Sequence, residues 1–156
     1  MLLDKINNLD KEDLFIKTPI LLKISPDLNS DNLKYLCERV LSSKIDGLIV
    51  SNTTIARDSI ADNIDQSGGL SGKPLFKSST QQLRRVFKYT NGRIPLIGVG
   101  GIDSAEKAYE KIKNGASLVQ LYTGLVYNGP NLIKDINKNL SSLIKDDGYN
   151  NISEAV

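Results

Sequence analysis

The chain has 156 residues, 40% of them apolar and 24% charged, with a net charge of +2 and no histidine. That balance fits one folded domain, gives no electrostatic case for nucleic acid, and removes the commonest general base and metal ligand, so no metal site is expected. No apolar run nears the roughly twenty residues of a bilayer-crossing helix, and the charged N-terminus MLLDKINNLDKED lacks a signal-peptide core, so a soluble, cytoplasmic chain is expected.

Residues 1–17 read as a short helix or its remnant, and 18–156 as the functional segment. The first apolar run, ILLKI (20–24), leads through SPDLNSDNL into a helical pattern over about 31–43, capped by Asp27 or Ser30. Cys37 lies in that pattern as a small core residue, and a lone cysteine makes no disulfide framework. GLIV (47–50) follows and runs into SNTT (51–54). The segment from Ile55 to Lys77 is then too long for an ordinary strand-to-helix loop, a length that usually carries function. IPLIGV (94–99) precedes a helix capped by Ser104, and SLVQL (117–121) precedes a last helix over about 130–145, opened by Asn128 with Pro130. Gly92 and Gly115 sit where C-terminal helix caps are expected.

Unalternating Ile, Val and Leu runs are the mark of strands buried on both faces, and strand-helix repetition implies a parallel sheet. Four such units make either a small doubly wound sheet or half of an eightfold barrel, and length alone leaves both open. In either, ligands bind at the carboxyl ends of the strands.

Those ends are chemically unusual. Gly98, Gly100 and Gly101 surround the end of the third strand, where glycine lets backbone N–H groups approach an anion. The fourth ends in Tyr122-Thr123-Gly124, which adds N–H groups and a hydroxyl. If these are the last two strands of a barrel, both loops hold one phosphate; otherwise they are two tight turns. Lys23, on an otherwise apolar strand, either reaches solvent at the strand's end or places a cation in a site. Ser51, Asn52 and Thr53 offer neutral donors and acceptors suited to a planar polar substrate, or form a turn leaving the strand. GGLSGKPL (68–75) is a glycine-dense loop ended by a proline near a helix start, and it can wrap a ligand with its backbone.

Together LLKISPDL (21–28), SNTT (51–54), GGLSGKPL (68–75), IGVGGI (97–102) and ASLVQLYTG (116–124) resemble the quinone-linked class of dihydroorotate dehydrogenases, in order and spacing as well as in residues. The resemblance runs from about Thr18 to Val156 and matches the C-terminal half of that family's (β/α)8 TIM barrel, about four parallel strands with alternating helices. It implies an FMN enzyme that oxidises dihydroorotate to orotate in pyrimidine synthesis and passes electrons to a quinone. Lys23 matches the family's lysine beside the flavin ring, where a fixed cation favours negative charge on the reduced ring. Ser51 matches a flavin-contacting position that is often threonine. Gly72, Gly100 and Gly101 match the glycine loops that approach FMN, and Tyr122 with Thr123 match the phosphate grip. Asn52 and Thr53 match residues that hydrogen-bond orotate.

The resemblance also implies what lies elsewhere. The family's serine base, further substrate-binding asparagines, and the helical pair that docks quinone and membrane belong to segments not recognised in this chain. Neither Ser25 nor Ser71 sits in the base's motif. The chain is therefore expected to need a complementary half or to associate with itself, and to be inactive alone. The alternatives are a non-catalytic flavin- or phosphate-binding half-barrel, a decayed remnant, or a self-contained flavodoxin-like domain. The last predicts a phosphate loop after the first strand, where this chain has ISPDLNS.

Overall fold

Four short strands form a single parallel sheet in the computed structural model, which describes residues 2–7, 18–58, 60 and 66–156. They are β1 (Leu21–Ile24), β2 (Gly47–Val50), β3 (Leu96–Val99) and β4 (Leu118–Gln120), laid side by side in that order. The helices are α1 (Leu2–Asn7), α2 (Ser30–Leu41), α3 (Phe76–Thr90), α4 (Ala105–Lys113), α5 (Thr123–Asn128) and α6 (Asn131–Asp146). Of the N-terminal stretch expected to be helical, residues 8–17 lie outside the described set.

The strand order separates the two architectures left open by length. Right-handed crossovers that always step the same way place every helix on one side of the sheet. A doubly wound sheet reverses its order and covers both faces. Here the order never reverses. The core agrees: Leu33, Cys37 and Val40 of α2 and Leu83 and Val86 of α3 pack with Ile24, Leu48, Val50 and Leu96. Ala108 of α4 and Leu132 and Ile136 of α6 pack on the same side, against Val119. Each of these fully buried aliphatic side chains contributes roughly 1.5–3 kcal/mol relative to exposure.

Because side chains alternate along a strand, the pairing register assigns the other face. Lys23 stands beside Ile49, Ile49 beside Ile97, Ile97 beside Leu118, and Val99 beside Gln120. No helix of the described residues covers that face, and Leu21 and Leu118 there remain 40% and 64% exposed. This is the inner wall of a barrel segment, with its interior open on one side.

The ends of the elements follow local chemistry, with three corrections to the sequence reading. Asn29, rather than Asp27 or Ser30, caps α2, accepting from the Asn32 N–H at 2.9 Å. The apolar runs at 94–99 and 117–121 pair only as Leu96–Val99 and Leu118–Gln120. The run beginning at Ile94 is cut because Pro95 has no N–H to give the ladder, although its carbonyl accepts from Leu48 N–H at 3.0 Å. Asn128 does not open the last helix. It ends the short α5, bonding back to the Gly124 carbonyl at 2.9 Å, and Pro130 alone precedes α6. Ser104 caps α4 as expected, and Gly92 and Gly115 take positive φ just beyond their helices. Cys37 is wholly buried, and burial pushes its thiol up to about 11.

Candidate functional site

The C-terminal ends of all four strands converge on one pocket of about 150 Å³. Lys23 contributes from β1, and Ser51, Asn52 and Thr53 from the turn after β2. Gly72 comes from the glycine-dense loop, Gly100 and Gly101 from the turn after β3, and Tyr122 and Thr123 from the end of β4. The nine residues the resemblance matched to flavin and orotate therefore line the same space, whereas Gly98, also marked at the end of β3, does not. A wider cleft of about 630 Å³ adjoins it and shares Ser71, Gly72, Gly101 and Thr123.

Close backbone contacts shape the walls. Gly101 has a φ of +74°, and a Cβ there would stand 2.5 Å from the Phe76 Cβ and 2.8 Å from its backbone nitrogen. The turn is thus pressed onto the start of α3, and only glycine fits it. A Cβ on Gly69 would lie 1.9 Å from the Thr53 Oγ1, so the long loop packs flush on the SNTT turn. Thr54 and Leu70 close that contact as an antiparallel bridge, with N–H to carbonyl distances of 3.1 and 2.7 Å. Thr123 Oγ1 lies 2.9 Å from the Ser71 Oγ, tying the loop to the end of β4. Asn52 N–H donates to the Ile24 carbonyl at 2.8 Å, and Ser51 N–H to the Val99 carbonyl at 3.3 Å, so the SNTT turn is held to both neighbouring strand ends.

Three supporting residues were not legible as such. Asp27 accepts from the Thr54 hydroxyl and, at 3.0 Å, from the Ile55 N–H. Its role is to fasten the turn after β2 to the turn after β1, across 27 residues of sequence. Arg57 donates to the Thr54, Gln66 and Gly68 carbonyls at 3.2, 3.2 and 2.6 Å, stitching both ends of the long loop together. Lys111 of α4 is fully buried, its Nζ 2.6 Å from the Ser79 Oγ. Burial pushes its ammonium down to about 7, against a smaller opposing pull from Glu110. One signal could have revealed it: Lys111 falls on the stripe of Ala105, Ala108 and Ile112, where helical spacing turns a residue inward.

Asp27→Ala leaves the Thr54 hydroxyl and the Ile55 N–H without their acceptor. The expected cost is on the order of 1–3 kcal/mol, read as a lower urea midpoint. An unchanged midpoint would show that water replaces the carboxylate without loss.

A parallel sheet in unreversed order, with its ligand-sized pocket at the strand ends and its helices on one face, defines a segment of a (βα) barrel enzyme scaffold. The sequence pattern of the dihydroorotate dehydrogenase family matches residues 2–144, and the chain belongs to that family. It is 52% identical over 142 residues to the dihydroorotate dehydrogenase (quinone) of Parvibaculum lavamentivorans, covering 90% of this chain and 41% of that protein. It is 50% identical over 141 residues to the mitochondrial dihydroorotate dehydrogenase (quinone) of Oryza sativa, covering 88% of this chain and 30% of that protein. Among solved structures, DHODH of Eimeria tenella in complex with ferulenol superposes with a TM-score of 0.83 at 36% identity, over 87% of this chain and 36% of that one. The chain thus spans well under half the length of these relatives. Among the described residues, no helix is long and apolar enough to cross a membrane.

Proposed function

We propose that this chain supplies the FMN- and orotate-binding wall, the C-terminal half of the barrel, of a quinone-linked dihydroorotate dehydrogenase acting in pyrimidine synthesis. The observation that carries this reading is the convergence of nine residues, drawn from separate motifs up to 100 positions apart between Lys23 and Thr123, on one pocket. The donor set fits FMN. Among the described residues no carboxylate pairs with Lys23, leaving its cation available beside the pocket. The Gly100–Gly101 turn lines the pocket with backbone alone, since a Cβ on either glycine would strike Ser79 or Phe76 behind it, and Thr123 and Ser71 add hydroxyls to the same lining.

FMN, when bound, supplies the two-electron acceptor. Lys23 gives a positive charge at the carboxyl end of β1; it is exposed here, and such a charge would count for more once the rest of the barrel excludes water from it. The amide of Asn52 and the hydroxyl of Thr53 hold the polar edge of dihydroorotate and orient it. Gly101, Tyr122 and Thr123 would hold the phosphate of FMN in the same pocket. The Ser51 hydroxyl, buried at the end of β2 and lining the pocket, would hold the flavin there when it is bound. Proton removal from the substrate falls to a base carried by the rest of the barrel, since neither Ser25 nor Ser71 sits in the motif of the family's base and Ser25 does not line the pocket. Ser25 is engaged with Asp27, and Ser71 with Thr123. The exposed apolar inner face supports a further requirement: a complementary half, or a second copy, covers Leu21 and Leu118 before turnover.

The test is a titration of the purified chain with FMN, with and without orotate, followed by visible absorption. A bound-flavin spectrum that shifts on adding orotate is expected. Asn52→Ala should keep flavin binding and lose roughly tenfold or more in the orotate response, the cost of one well-placed hydrogen bond. A wild-type chain that never perturbs FMN would overturn the reading of an autonomous site.

A further inference from the structure

The Lys111 ammonium lies outside the pocket, yet it is joined to the pocket's anion-facing turn by a short chain of hydrogen bonds. Nζ is 2.6 Å from the Ser79 Oγ and 3.4 Å from the Val99 carbonyl, and stands 5.2 Å from the centre of the Phe76 ring. The Ser79 Oγ in turn lies 3.2 Å from the Gly100 carbonyl and 3.1 Å from that of Phe76. An ammonium has three donors and no acceptor. When it donates to Ser79, the single hydroxyl proton of Ser79 must turn to a carbonyl.

The consequence reaches the far side of the turn. A trans peptide is planar, with its C=O and N–H pointing opposite ways. The Val99 carbonyl is shared between the Lys111 ammonium and the Ser51 N–H, and the Gly100 carbonyl faces Ser79, so the N–H groups of Gly100 and Gly101 turn the other way, toward the pocket those glycines line. Positive φ values of +108° and +74° at the two glycines leave this turn open to several backbone arrangements, so something must select one. The loop has no room to shift as a block: a Cβ on Gly100 would already meet the Ser79 Oγ at 2.8 Å.

We propose that Lys111 is a positioning residue for the phosphate of the flavin: buried behind the Gly100–Gly101 turn, it acts through Ser79 to aim the turn's N–H groups at the phosphate. The inference rests on the functional reading above and deepens it. A cation at this place also favours the anion in front of it without touching it. The burial of a lysine among Ser79, Phe76 and Val99 has no partner carboxylate to explain it among the described residues. An orientation role for the turn explains why the cation is kept.

The experiment compares FMN with riboflavin, which has the same ring and no phosphate, by fluorescence titration of the full chain at pH 6, below the value of about 7 at which burial releases the Lys111 proton. In the wild type FMN should bind more tightly than riboflavin. Lys111→Met should weaken FMN by about 10- to 100-fold, the worth of a charge-assisted hydrogen bond, while leaving riboflavin within about twofold. Ser79→Ala, which keeps the cation and removes the link, should lower the same ratio by a smaller factor. It also decides the matter if Lys111→Met fails to fold. An unchanged FMN-to-riboflavin ratio in the variants, or an equal loss for both ligands, overturns the inference and leaves Lys111 a packing residue. A wild-type chain that binds both flavins equally, or neither, overturns the phosphate site itself, and the inference falls with it.

Discussion

Gly101→Ala is expected to abolish flavin binding and to destabilise the fold by about 2–4 kcal/mol, the largest loss from any single methyl group in the site. Two costs combine. The first is conformational, because a φ of +74° is a left-handed backbone that penalises any Cβ. The second is steric, because the new Cβ would lie 2.5, 2.7 and 2.8 Å from the Cβ, Cα and N of Phe76. Backbone at the first turn of α3 cannot rotate aside as a long side chain can, so the turn itself must move. Gly129→Ala separates the two costs. Gly129 has nearly the same φ, +73°, with nothing within 4 Å of a Cβ, and its ψ of 177° lies in a region that glycine alone adopts freely, so it should show a conformational cost without a steric one, about 1–3 kcal/mol. Urea midpoints of the two variants give the difference, and an FMN titration gives the functional loss. Wild-type flavin affinity in Gly101→Ala would remove this turn from the binding site.

Stability should rise with pH from about 7 to 9, by up to about 1.4 kcal/mol per pH unit, and Lys111→Met should flatten that rise. Burial holds the Lys111 ammonium at about 7 in the folded chain, against 10.5 for an ordinary lysine. Between those values the unfolded chain carries a proton that the folded chain has released. Raising the pH across that window favours the folded state. Lowering it toward 7 removes the advantage, and below 7 both states are protonated and the full cost of a buried cation is in place. The groups around Nζ leave this behaviour to Lys111. Phe76, Ser79 and Val99 are uncharged. Lys107 shares the Phe76 ring but is paired with Asp103 at 2.8 Å, and Glu110 only offsets the shift in part. Above 9 the buried Cys37 works the other way, since its thiol must stay protonated up to about 11 while the unfolded chain ionises earlier. Urea midpoints at three pH values within the window check the slope. A wild-type slope that persists in Lys111→Met would assign it to another group.

The strands and most helix ends were legible because they depend on neighbours in sequence. ILLKI and GLIV are apolar without alternation, Ser104 precedes a helical period, and Gly92 and Gly115 stand at the ends of helices. Where the reading slipped, a longer-range partner decided. Asp27 has the chemistry of a helix cap and sits close enough to serve as one, but it is drawn instead to Thr54 and Ile55 on the next strand's turn. Asn29 is then left to cap α2. Likewise the residues after Tyr122 carry no helix signal of their own, yet they close as α5, with Gly124 so near the Ile102 carbonyl that a Cβ would stand 2.5 Å from it.

The same division holds for the site. Residue types, motif order and the family resemblance marked Lys23, Ser51, Asn52, Thr53, Gly72, Gly100, Gly101, Tyr122 and Thr123 as candidates, and the structure brings all of them to one pocket. Sequence also fixed that the sheet is parallel, since a helix between every two strands demands it. Length and spacing left open whether four units make a doubly wound sheet or a barrel wall, and only the motif resemblance pointed to the barrel, because strand order is a matter of packing and not of spacing. Only the tertiary structure decided that, by stacking β1 to β4 without reversal and leaving one face bare. Only it, too, brought Lys111 behind Gly100, since a buried charge is defined by what surrounds it in space, and those neighbours come from α3 and β3 rather than from the helix that carries it.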